Sequence, residues 1–201
     1  MPLPLNILIV EDSEDDTQLV MQELRRAGFD PRWQRVETEP DFLAELAKQP
    51  DLILSDFAMP QFSGLRAAEL TGTSGLDIPF ILISGTIGED LAVEAMKRGV
   101  TDYFLKDRIA RLGAAVEQAL AQKQIRMRQR QADASLKLFR ALIDRSSDGI
   151  LVSDPATGRF LDVNHTICER LGYTREELLQ LGVTDIETEA MAVIPWCQLA
   201  E

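Results

Sequence analysis

The stretch between Asp51 and Pro60 constrains the fold more than any other, because a short apolar run in it ends at a single acid. Residues 52–54 are all large and aliphatic, which is typical of a strand buried on both faces of a parallel sheet. Pro60 lacks a backbone N–H, so we expect the strand to end near Asp56. The sequence therefore predicts a carboxylate at the carboxyl end of a central strand, the edge at which open α/β sheets bind ligands.

Strand and helix patterns alternate through the first half of the chain. Five stretches have the composition of strands: residues 7–10, 33–36, 52–56, 78–83 and 100–105. Apolar residues at helical spacing lie between them, in stretches that end near residues 27, 48, 70 and 97. This alternation predicts an α/β fold with a doubly wound, five-stranded parallel sheet. The carboxyl ends of all five strands then share one edge.

That shared edge gathers five polar residues, which are Glu11, Asp12, Asp56, Ser84 and Lys106. Three converging carboxylates repel one another unless a cation neutralises them, and oxygen ligands beside a phosphate favour Mg²⁺. An ammonium and a hydroxyl complete a cage that stabilises a phosphoryl group. The central carboxylate can then act as a nucleophile and hold an acyl phosphate.

Plainer interpretations exist for several of these residues. Taken alone, Asp56 could cap a loop and Ser84 could be an ordinary hydroxyl at a strand end. Residues 14–16 are all acidic, and we expect them only to stabilise the helix N-terminus through its dipole. Tyr103 could simply pack against its neighbours. The convergence of several groups at one edge favours the site over these alternatives for Asp56.

Residues from about 5 to 120 resemble the receiver domain of bacterial two-component response regulators. The resemblance rests on five features in order: the pair Glu11-Asp12, Asp56 followed by Met59-Pro60, Ser84-Gly85, Tyr103 and Lys106. It implies a flavodoxin-like receiver, with Asp56 as the phosphoacceptor assisted by Lys106 and Ser84. It also implies a switch through Ser84 and Tyr103, and Mg²⁺ held by Glu11, Asp12, Asp56 and the backbone carbonyl of Ala58.

Two positions depart from the usual receiver pattern. Asp107 follows the lysine where many receivers have proline, so a cis peptide bond is not expected there. Ala58 and Thr86 stand two residues after the phosphoacceptor and the hydroxyl, and neither offers an acid or amide to orient attacking water. The resemblance therefore implies slow autodephosphorylation.

Residues 108–143 form a different kind of segment, with two acids and eight bases in a chain whose net charge is −12. Helix formers dominate it, so we predict a long helical linker whose first turns pack on the receiver through Ile109, Leu112, Val116 and Leu120. Beyond Leu120 the helix is mostly polar. It is either a short parallel coiled coil with a second copy or a solvated linker.

Residues 138–201 contain a predicted hairpin and two short helices, the second opened by a Thr174–Glu177 capping box. The sequences 147–150, 163–164, 171–173 and 176–178 resemble the first half of a PAS domain. Because we see no further strand pattern, we expect a partial α+β segment, a truncated PAS domain with exposed apolar faces. His165 and Cys168 do not match haem or flavin positions of that family, so we expect no organic cofactor.

The domain prediction is therefore a receiver at 1–120, a helical linker at 108–143 and a PAS-like half domain at 138–201. We predict a phosphorelay response regulator that accepts a phosphoryl group on Asp56 and changes conformation or dimerisation. The alternative is the sensory part of a hybrid histidine kinase or another receiver–PAS enzyme whose catalytic part lies beyond residue 201. A phosphatase is disfavoured, because Ala58 stands where such hydrolases carry a second acid. We see no kinase or cyclase motif.

The expected partners are a histidine kinase or phosphotransfer protein and a second copy, held through the linker or the last receiver helices. The net charge of −12 argues against nucleic acid. No apolar run approaches the roughly 20 residues that span a bilayer, so we expect no membrane contact. Two cysteines form no disulfide framework, which favours the cytoplasm.

Overall fold

The computed structural model describes residues 2–85 and 95–186, and the chain divides into two compact units, Met1–Arg128 and Gln129–Glu201. The first unit begins with alternating strands and helices. These are β1 (Leu3–Val10), α1 (Glu14–Arg26), β2 (Phe29–Val36), α2 (Glu39–Leu46), β3 (Leu52–Asp56), α3 (Gly64–Thr73), β4 (Phe80–Ser84) and β5 (Asp102–Leu105). The helix predicted to end near residue 97 falls mainly on residues 86–94, outside the described residues.

The five strands form one parallel sheet in the order β2-β1-β3-β4-β5. This confirms the predicted five-stranded, doubly wound fold. Strand β3 lies at the centre, and every residue from Leu52 to Asp56 in it is buried. The continuous apolar run predicted this environment, because both faces of a central parallel strand are covered.

Alternate residues of the strands supply two separate hydrophobic clusters, one on each face of the sheet. Leu8, Ile53, Phe80 and Leu82 belong to the cluster that α2 and α3 cover, with Phe42 and Ala67. Ile7, Leu52, Leu54 and Ile81 belong to the opposite cluster, which α1 covers with Val20 and Leu24. The side-chain alternation of a strand thus divides one apolar run between two cores.

Strand β2 is longer than predicted, because the pattern indicated only residues 33–36. The structure pairs all eight residues from Phe29 to Val36 with β1. Its exposure alternates, and Pro31 lies within it, which is compatible with an edge strand. Because much of this edge strand is polar, its apolar pattern predicted only part of its length.

The linker does not begin as an α-helix. Residues Lys106–Arg111 form a 3₁₀ helix, in which Arg108 has a non-helical backbone (φ −114°, ψ 20°). Helix α4 then runs over Leu112–Asp144. The predicted apolar face is confirmed, since Leu112 and Val116 are fully buried. Farther along, Arg126 makes a bidentate ion pair with Asp77, with N···O distances of 2.7–3.2 Å.

The second unit contains a small antiparallel hairpin and two short helices. Its elements after α4 are β6 (Leu151–Ser153), β7 (Phe160–Val163), α5 (His165–Leu171), α6 (Arg175–Leu178) and a 3₁₀ turn at Val183–Asp185. Glu177 and Thr174 form the predicted capping box. Its buried core, within residues 129–186, consists of Phe160, Val163, Ile167, Leu178 and Ile186.

Asn164 anchors this small core through four hydrogen bonds. Its side-chain oxygen accepts from the N–H groups of Ile150 (2.8 Å) and Ile167 (3.1 Å). Its amide nitrogen donates to the carbonyls of Ile143 and Asp148, both at 2.9 Å. The side chain is only 1% exposed, and it satisfies backbone groups from four separate positions.

Several large apolar side chains of the second unit remain exposed, as the sequence predicted. They include Leu138, Phe139, Leu142, Val152 and Leu161. Among the described residues, no helix is both long and apolar enough to cross a membrane.

Candidate functional site

Asp56 is the last residue of β3, and its side chain lies in a pocket at the carboxyl edge of the sheet. It is 8% exposed. The backbone continues the ladder one residue farther, because Phe57 N–H donates to the carbonyl of Ile83 at 2.9 Å. The N–H of Ala58 donates to Asp56 Oδ1 at 3.1 Å. The turn that follows the strand therefore fixes the orientation of the carboxylate.

Glu11 and Asp12 follow β1, the strand beside β3. Ligand oxygens of Glu11, Asp12 and Asp56 lie within 4.8 Å of one another. Glu11 is buried, whereas Asp12 is exposed. Arg35 of β2 supports this turn, because its Nη1 donates to the carbonyls of Glu11 (3.1 Å) and Asp12 (3.2 Å). The sheet thus brings Asp56 next to the adjacent pair Glu11-Asp12, although Asp56 is far from that pair in the sequence.

Burial raises the pKa of Glu11 from 4.5 to about 7, and the nearby charge of Asp56 contributes to the increase. A hydrogen bond from Ser13 N–H and the ammonium of Lys106 act in the opposite direction. The charge state of Glu11 therefore depends on its burial and on its charged neighbours. A cation bound among the three acids would relieve both the desolvation and the repulsion.

Lys106 follows β5 and supplies the positive charge at this edge. Its Nζ lies 2.8 Å from Asp56 Oδ2 and 3.5 Å from Glu11 Oε2, and it also donates to Asp16 Oδ2. Burial alone would lower the pKa of Lys106, but these partners outweigh it and raise the pKa above its ordinary value. The ammonium is therefore fully charged at neutral pH, next to the carboxylate predicted to react.

The donor set fits a hard divalent cation. All three acids offer oxygen, two of them are buried, and their ligand atoms are close enough to share one ion. The Ala58 carbonyl remains a predicted fourth ligand; what the structure shows for Ala58 is an exposed residue whose N–H donates to Asp56.

The predicted switch residues lie on the neighbouring strands β4 and β5. Ser84 is the last residue of β4, is 2% exposed, and is paired with Leu105, next to Lys106. Asp56 is paired with Ile83, so Ser84 lies one position beyond Asp56 along the sheet edge. Tyr103 lies on β5 with 38% of its surface exposed. Thr86, named in the prediction of slow dephosphorylation, lies outside the described residues.

Two residues that contact this site were not singled out by sequence reasoning. Asp16 was expected only to stabilise a helix N-terminus, yet its carboxylate accepts a hydrogen bond from Lys106. Gly64 opens α3 so close to β3 that a Cβ there would lie 2.4 Å from the Asp56 carbonyl oxygen. No local pattern identifies Asp16, because its partner is 90 residues away. Gly64 could have been recognised from the sequence, because a glycine soon after the Met-Pro turn often allows two backbone segments to approach closely.

Comparison with known families finds a match in each of two segments of the chain. The family described as response regulator receiver domain matches residues 7–117, and the family described as PAS domain matches residues 137–201. These matches agree with the two resemblances in the sequence and with the helical segment between them.

Individual relatives include regulators of two-component systems. An Arabidopsis thaliana two-component response regulator, ARR10, is 27% identical over 106 residues, which cover 52% of this chain and 19% of that protein. The phosphate regulon transcriptional regulatory protein PhoB of Pseudomonas aeruginosa is 27% identical over 86% of this chain and 77% of its own length. The chain thus spans only about a fifth of the plant regulator.

Solved structures with the same architecture include receiver domains. The signal receiver domain of a LuxO repressor protein from Vibrio parahaemolyticus aligns with a TM-score of 0.55 and 25% identity, over 62% of this chain and 95% of that chain. The receiver domain of a signal transduction histidine kinase from Syntrophus aciditrophicus aligns with a TM-score of 0.50 and 28% identity, over 59% of this chain and 91% of that chain.

Proposed function

This chain belongs to the response regulator receiver domain family, and on that premise we propose that it accepts a phosphoryl group on Asp56 in a phosphorelay. The observation that carries the proposal is the contact between Lys106 Nζ and Asp56 Oδ2 at 2.8 Å, in a pocket where three carboxylates lie within 4.8 Å. A buried acid with a fixed counter-charge and a potential cation site suits phosphoryl transfer better than structural capping.

The transfer follows from the positions of these side chains. A carboxylate oxygen of Asp56 forms a bond to phosphorus as the bond between phosphorus and the donor's histidine nitrogen breaks. The imidazole leaves with that electron pair and takes up a proton, and Asp56 becomes an acyl phosphate. Lys106 stabilises the negative charge on the phosphoryl oxygens throughout.

Mg²⁺ suits the proposed site, held by Glu11, Asp12, Asp56 and the carbonyl of Ala58. When bound, it neutralises the charge on phosphoryl oxygens. The protein's own contribution is to hold the acids close together and partly shielded from solvent. A divalent ion can then bind without large rearrangement of the backbone.

After transfer, Ser84 donates its hydroxyl to a phosphoryl oxygen and Tyr103 moves from its exposed position toward the space that Ser84 leaves. Burial of Ser84 beside the phosphoacceptor strand supports this sequence. Ala58 and Thr86 offer no side-chain acid or amide for water, so the acyl phosphate persists for much longer than seconds in the isolated protein.

The proposed organisation is a receiver at 1–120, a helical linker at 108–143 and a PAS-like segment at 138–201. The phosphoryl donor is a histidine kinase or phosphotransfer protein, and phosphorylation changes dimerisation through α4 or the last receiver helices. The apolar residues exposed on α4, among them Ile125 and Leu138, support a second copy as partner. Nucleic acid and membrane are not partners in this proposal, and its site of action is the cytoplasm.

Acetyl phosphate with Mg²⁺ tests the chemistry directly. Intact mass spectrometry should show one phosphoryl group on the wild type and none on Asp56→Asn. The matched control is Asp15→Asn, which removes an exposed acid from the same edge and should retain uptake. A wild-type protein that gains no phosphoryl group would contradict the proposal.

Light scattering with beryllofluoride and Mg²⁺ tests the proposed output. The wild type should increase in mass toward a dimer, whereas Asp56→Asn should not respond. An unchanged wild-type mass after confirmed beryllofluoride binding would exclude dimer switching while leaving phosphoryl acceptance intact.

A further inference from the structure

The first turn of α1 contains an acid that does not make the contact usual for its position. Ser13 caps this helix, and its hydroxyl accepts from Asp16 N–H at 3.2 Å. Asp16 is therefore the third helical residue, the position from which an acid commonly returns to its own cap. Such a return would satisfy the backbone N–H of Ser13.

In two other helices of this chain, the acid at this position does bind its own cap residue, through the cap hydroxyl in one and through the cap backbone N–H in the other. In α2, Thr38 Oγ1 donates to Asp41 Oδ2 at 2.7 Å. In α6, Thr174 N–H donates to Glu177 Oε2 at 2.8 Å. Both acids occupy the same third position as Asp16, and both bind their own cap residue. The difference at α1 is thus specific to that helix rather than a property of the chain.

In α1 the cap N–H is already occupied by a residue of the site. Glu11 Oε1 accepts from Ser13 N–H at 3.1 Å, which is the role the third-position acid would otherwise fill. The carboxylate of Asp16 instead accepts a hydrogen bond from Lys106 Nζ. Glu11 thus makes the cap contact that Asp16 would normally make, and the carboxylate of Asp16 is a hydrogen-bond acceptor for Lys106 instead.

Lys106 requires such a partner to hold one position. Its ammonium ends a flexible four-carbon stem, and 29% of the side chain is exposed. Asp56 contacts it from one side at 2.8 Å, and Asp16 contacts it from the neighbouring helix. When Asp56 becomes phosphorylated its own oxygens change position, whereas the carboxylate of Asp16 does not react.

We infer that Asp16 is a positioning residue, which holds the ammonium of Lys106 at the phosphoacceptor before and after transfer. This inference rests on the proposed function of Asp56. The role is preorganisation, because a lysine fixed in advance loses less conformational freedom when the phosphoryl group arrives. Asp16 itself touches neither the donor nor the phosphoryl group.

If Asp16 acted only through its negative charge, removing it would change the rate of phosphoryl uptake in the opposite direction from positioning. Asp16 is an acid near a site that receives an anion, so removing its charge should favour phosphoryl uptake if the field alone mattered. Positioning predicts instead that uptake becomes slower when the charge is removed. The sign of the change therefore separates the two explanations.

The experiment measures the rate of phosphoryl uptake from acetyl phosphate at saturating Mg²⁺. Asp16→Asn keeps the size of the side chain and should slow uptake about tenfold, as expected for loss of a charge-assisted hydrogen bond. Asp16→Glu keeps the charge and should restore part of the rate. Asp15→Asn, the control for charge in the same turn, should not slow uptake.

A double-mutant cycle with Lys106→Met separates positioning from general destabilisation. In that background Asp16→Asn should have no further effect on the rate, because the group it positions is gone. Equal slowing in both backgrounds, or uptake that is unchanged or faster in Asp16→Asn alone, overturns the inference. If thermal unfolding shows that Asp16→Asn is not folded, Asp16→Ser, which also lacks the charge, is measured instead: uptake as fast as in the wild type overturns the inference, and slower uptake supports it.

Failure of the proposed function itself has a different signature. A wild-type protein without phosphoryl uptake removes the premise, whereas uptake by the wild type that is insensitive to Asp16 removes only the positioning role.

Discussion

Buried polar groups have opposite characters in the two units. In the first unit the buried acids Glu11 and Asp56 converge at one sheet edge and share a single lysine. In the described part of the second unit, the buried polar side chain is the neutral Asn164, which is saturated by four backbone hydrogen bonds. The acids of the first unit have negative charge available to bind a ligand, whereas Asn164 has all of its hydrogen-bonding groups paired within the protein.

The difference shows how each unit uses its hydrophobic core. The first unit has apolar clusters on both faces of a five-stranded sheet, which can support the repulsion among three acids. The second unit has one small cluster beside a two-stranded hairpin, within residues 129–186. We therefore expect substitutions of polar residues to alter chemistry in the first unit and folding in the second.

The largest expected effect is on the second unit. Asn164→Ala leaves two N–H groups and two carbonyls without their partner, at a cost of about 1–3 kcal/mol for each group that stays buried. Because the core is small, we expect the second unit to unfold while the first keeps its stability. Hydrogen exchange followed by mass spectrometry would measure both units separately.

Asn6→Ala is the matched control for that substitution, since Asn6 is exposed and donates to Asp51. It should change stability by less than about 1 kcal/mol. Protection of residues 150–167 that is unaffected in Asn164→Ala would contradict the structural role assigned to this side chain.

A substitution at Gly64 should affect both stability and chemistry in the first unit. Gly64→Ala places a Cβ against the Asp56 carbonyl oxygen and Leu82, so the end of β3 or the start of α3 must shift. We expect a loss of about 1–3 kcal/mol in the free energy of unfolding and slower phosphoryl uptake. Chemical denaturation and the acetyl phosphate assay measure the two effects.

The same helix supplies a control with the opposite sign. A Cβ at Gly72 would meet only the Arg98 carbonyl oxygen at 3.8 Å, an ordinary contact. Gly72→Ala should stabilise the protein by about 0.5–1 kcal/mol, because alanine favours helix. If both alanine variants had the same effect, close packing at Gly64 would not explain its role.

A substitution of Asp12 tests whether the three clustered acids repel one another in the folded protein. Asp12→Asn removes one charge from the cluster, so we expect the metal-free protein to gain up to about 1 kcal/mol while its affinity for Mg²⁺ falls. Thermal unfolding without metal and calorimetric titration with Mg²⁺ measure these changes. A variant that loses stability without metal would show that the acids do not repel one another in the folded state.

The smallest expected effect concerns an ion pair of the second unit. A hydrogen bond from Arg175 to Asp162 at 2.7 Å lowers the pKa of that carboxyl group. A lowered pKa in the folded state stabilises the protein above pH about 4, and this contribution disappears as the pH falls through the folded value. Because both side chains are about 40% exposed, solvent limits the effect to at most about 1 kcal/mol.

Denaturation of wild type and Asp162→Asn at pH 7 and pH 3 measures that contribution. The stability difference between them should be larger at pH 7. A difference that grows toward pH 3 would contradict the assigned direction of the pKa shift.

Sequence reasoning recovered the parts of the molecule that local pattern determines. The run 52–54 predicted a buried central strand, and the alternation of elements predicted the sheet edge where Glu11, Asp56 and Lys106 meet. The capping box at Thr174 was equally local. In each case, spacing along the chain determines which side chains or elements are neighbours.

The contacts that sequence reasoning missed depend on tertiary placement. The carboxylate of Asp16 reaches Lys106 only because α1 and the end of β5 lie together in the fold, and because Glu11 has taken the cap of α1. The 3₁₀ helix at Lys106–Arg111 replaces a predicted α-helical start, although four of its six residues are lysine, arginine or alanine, which are good helix formers. Intrinsic propensity does not determine how a helix leaves a sheet.

The backbone N–H groups around the acids have a consequence for ion discrimination. Glu11 Oε1 accepts a hydrogen bond from Ser13 N–H and Asp56 Oδ1 accepts one from Ala58 N–H, which disfavours chelation of one ion by both oxygens of either carboxylate. Calcium commonly uses such bidentate carboxylates in a shell of six to eight oxygens, whereas magnesium keeps a compact octahedron completed by water. At the proposed site, limited denticity would favour the smaller ion.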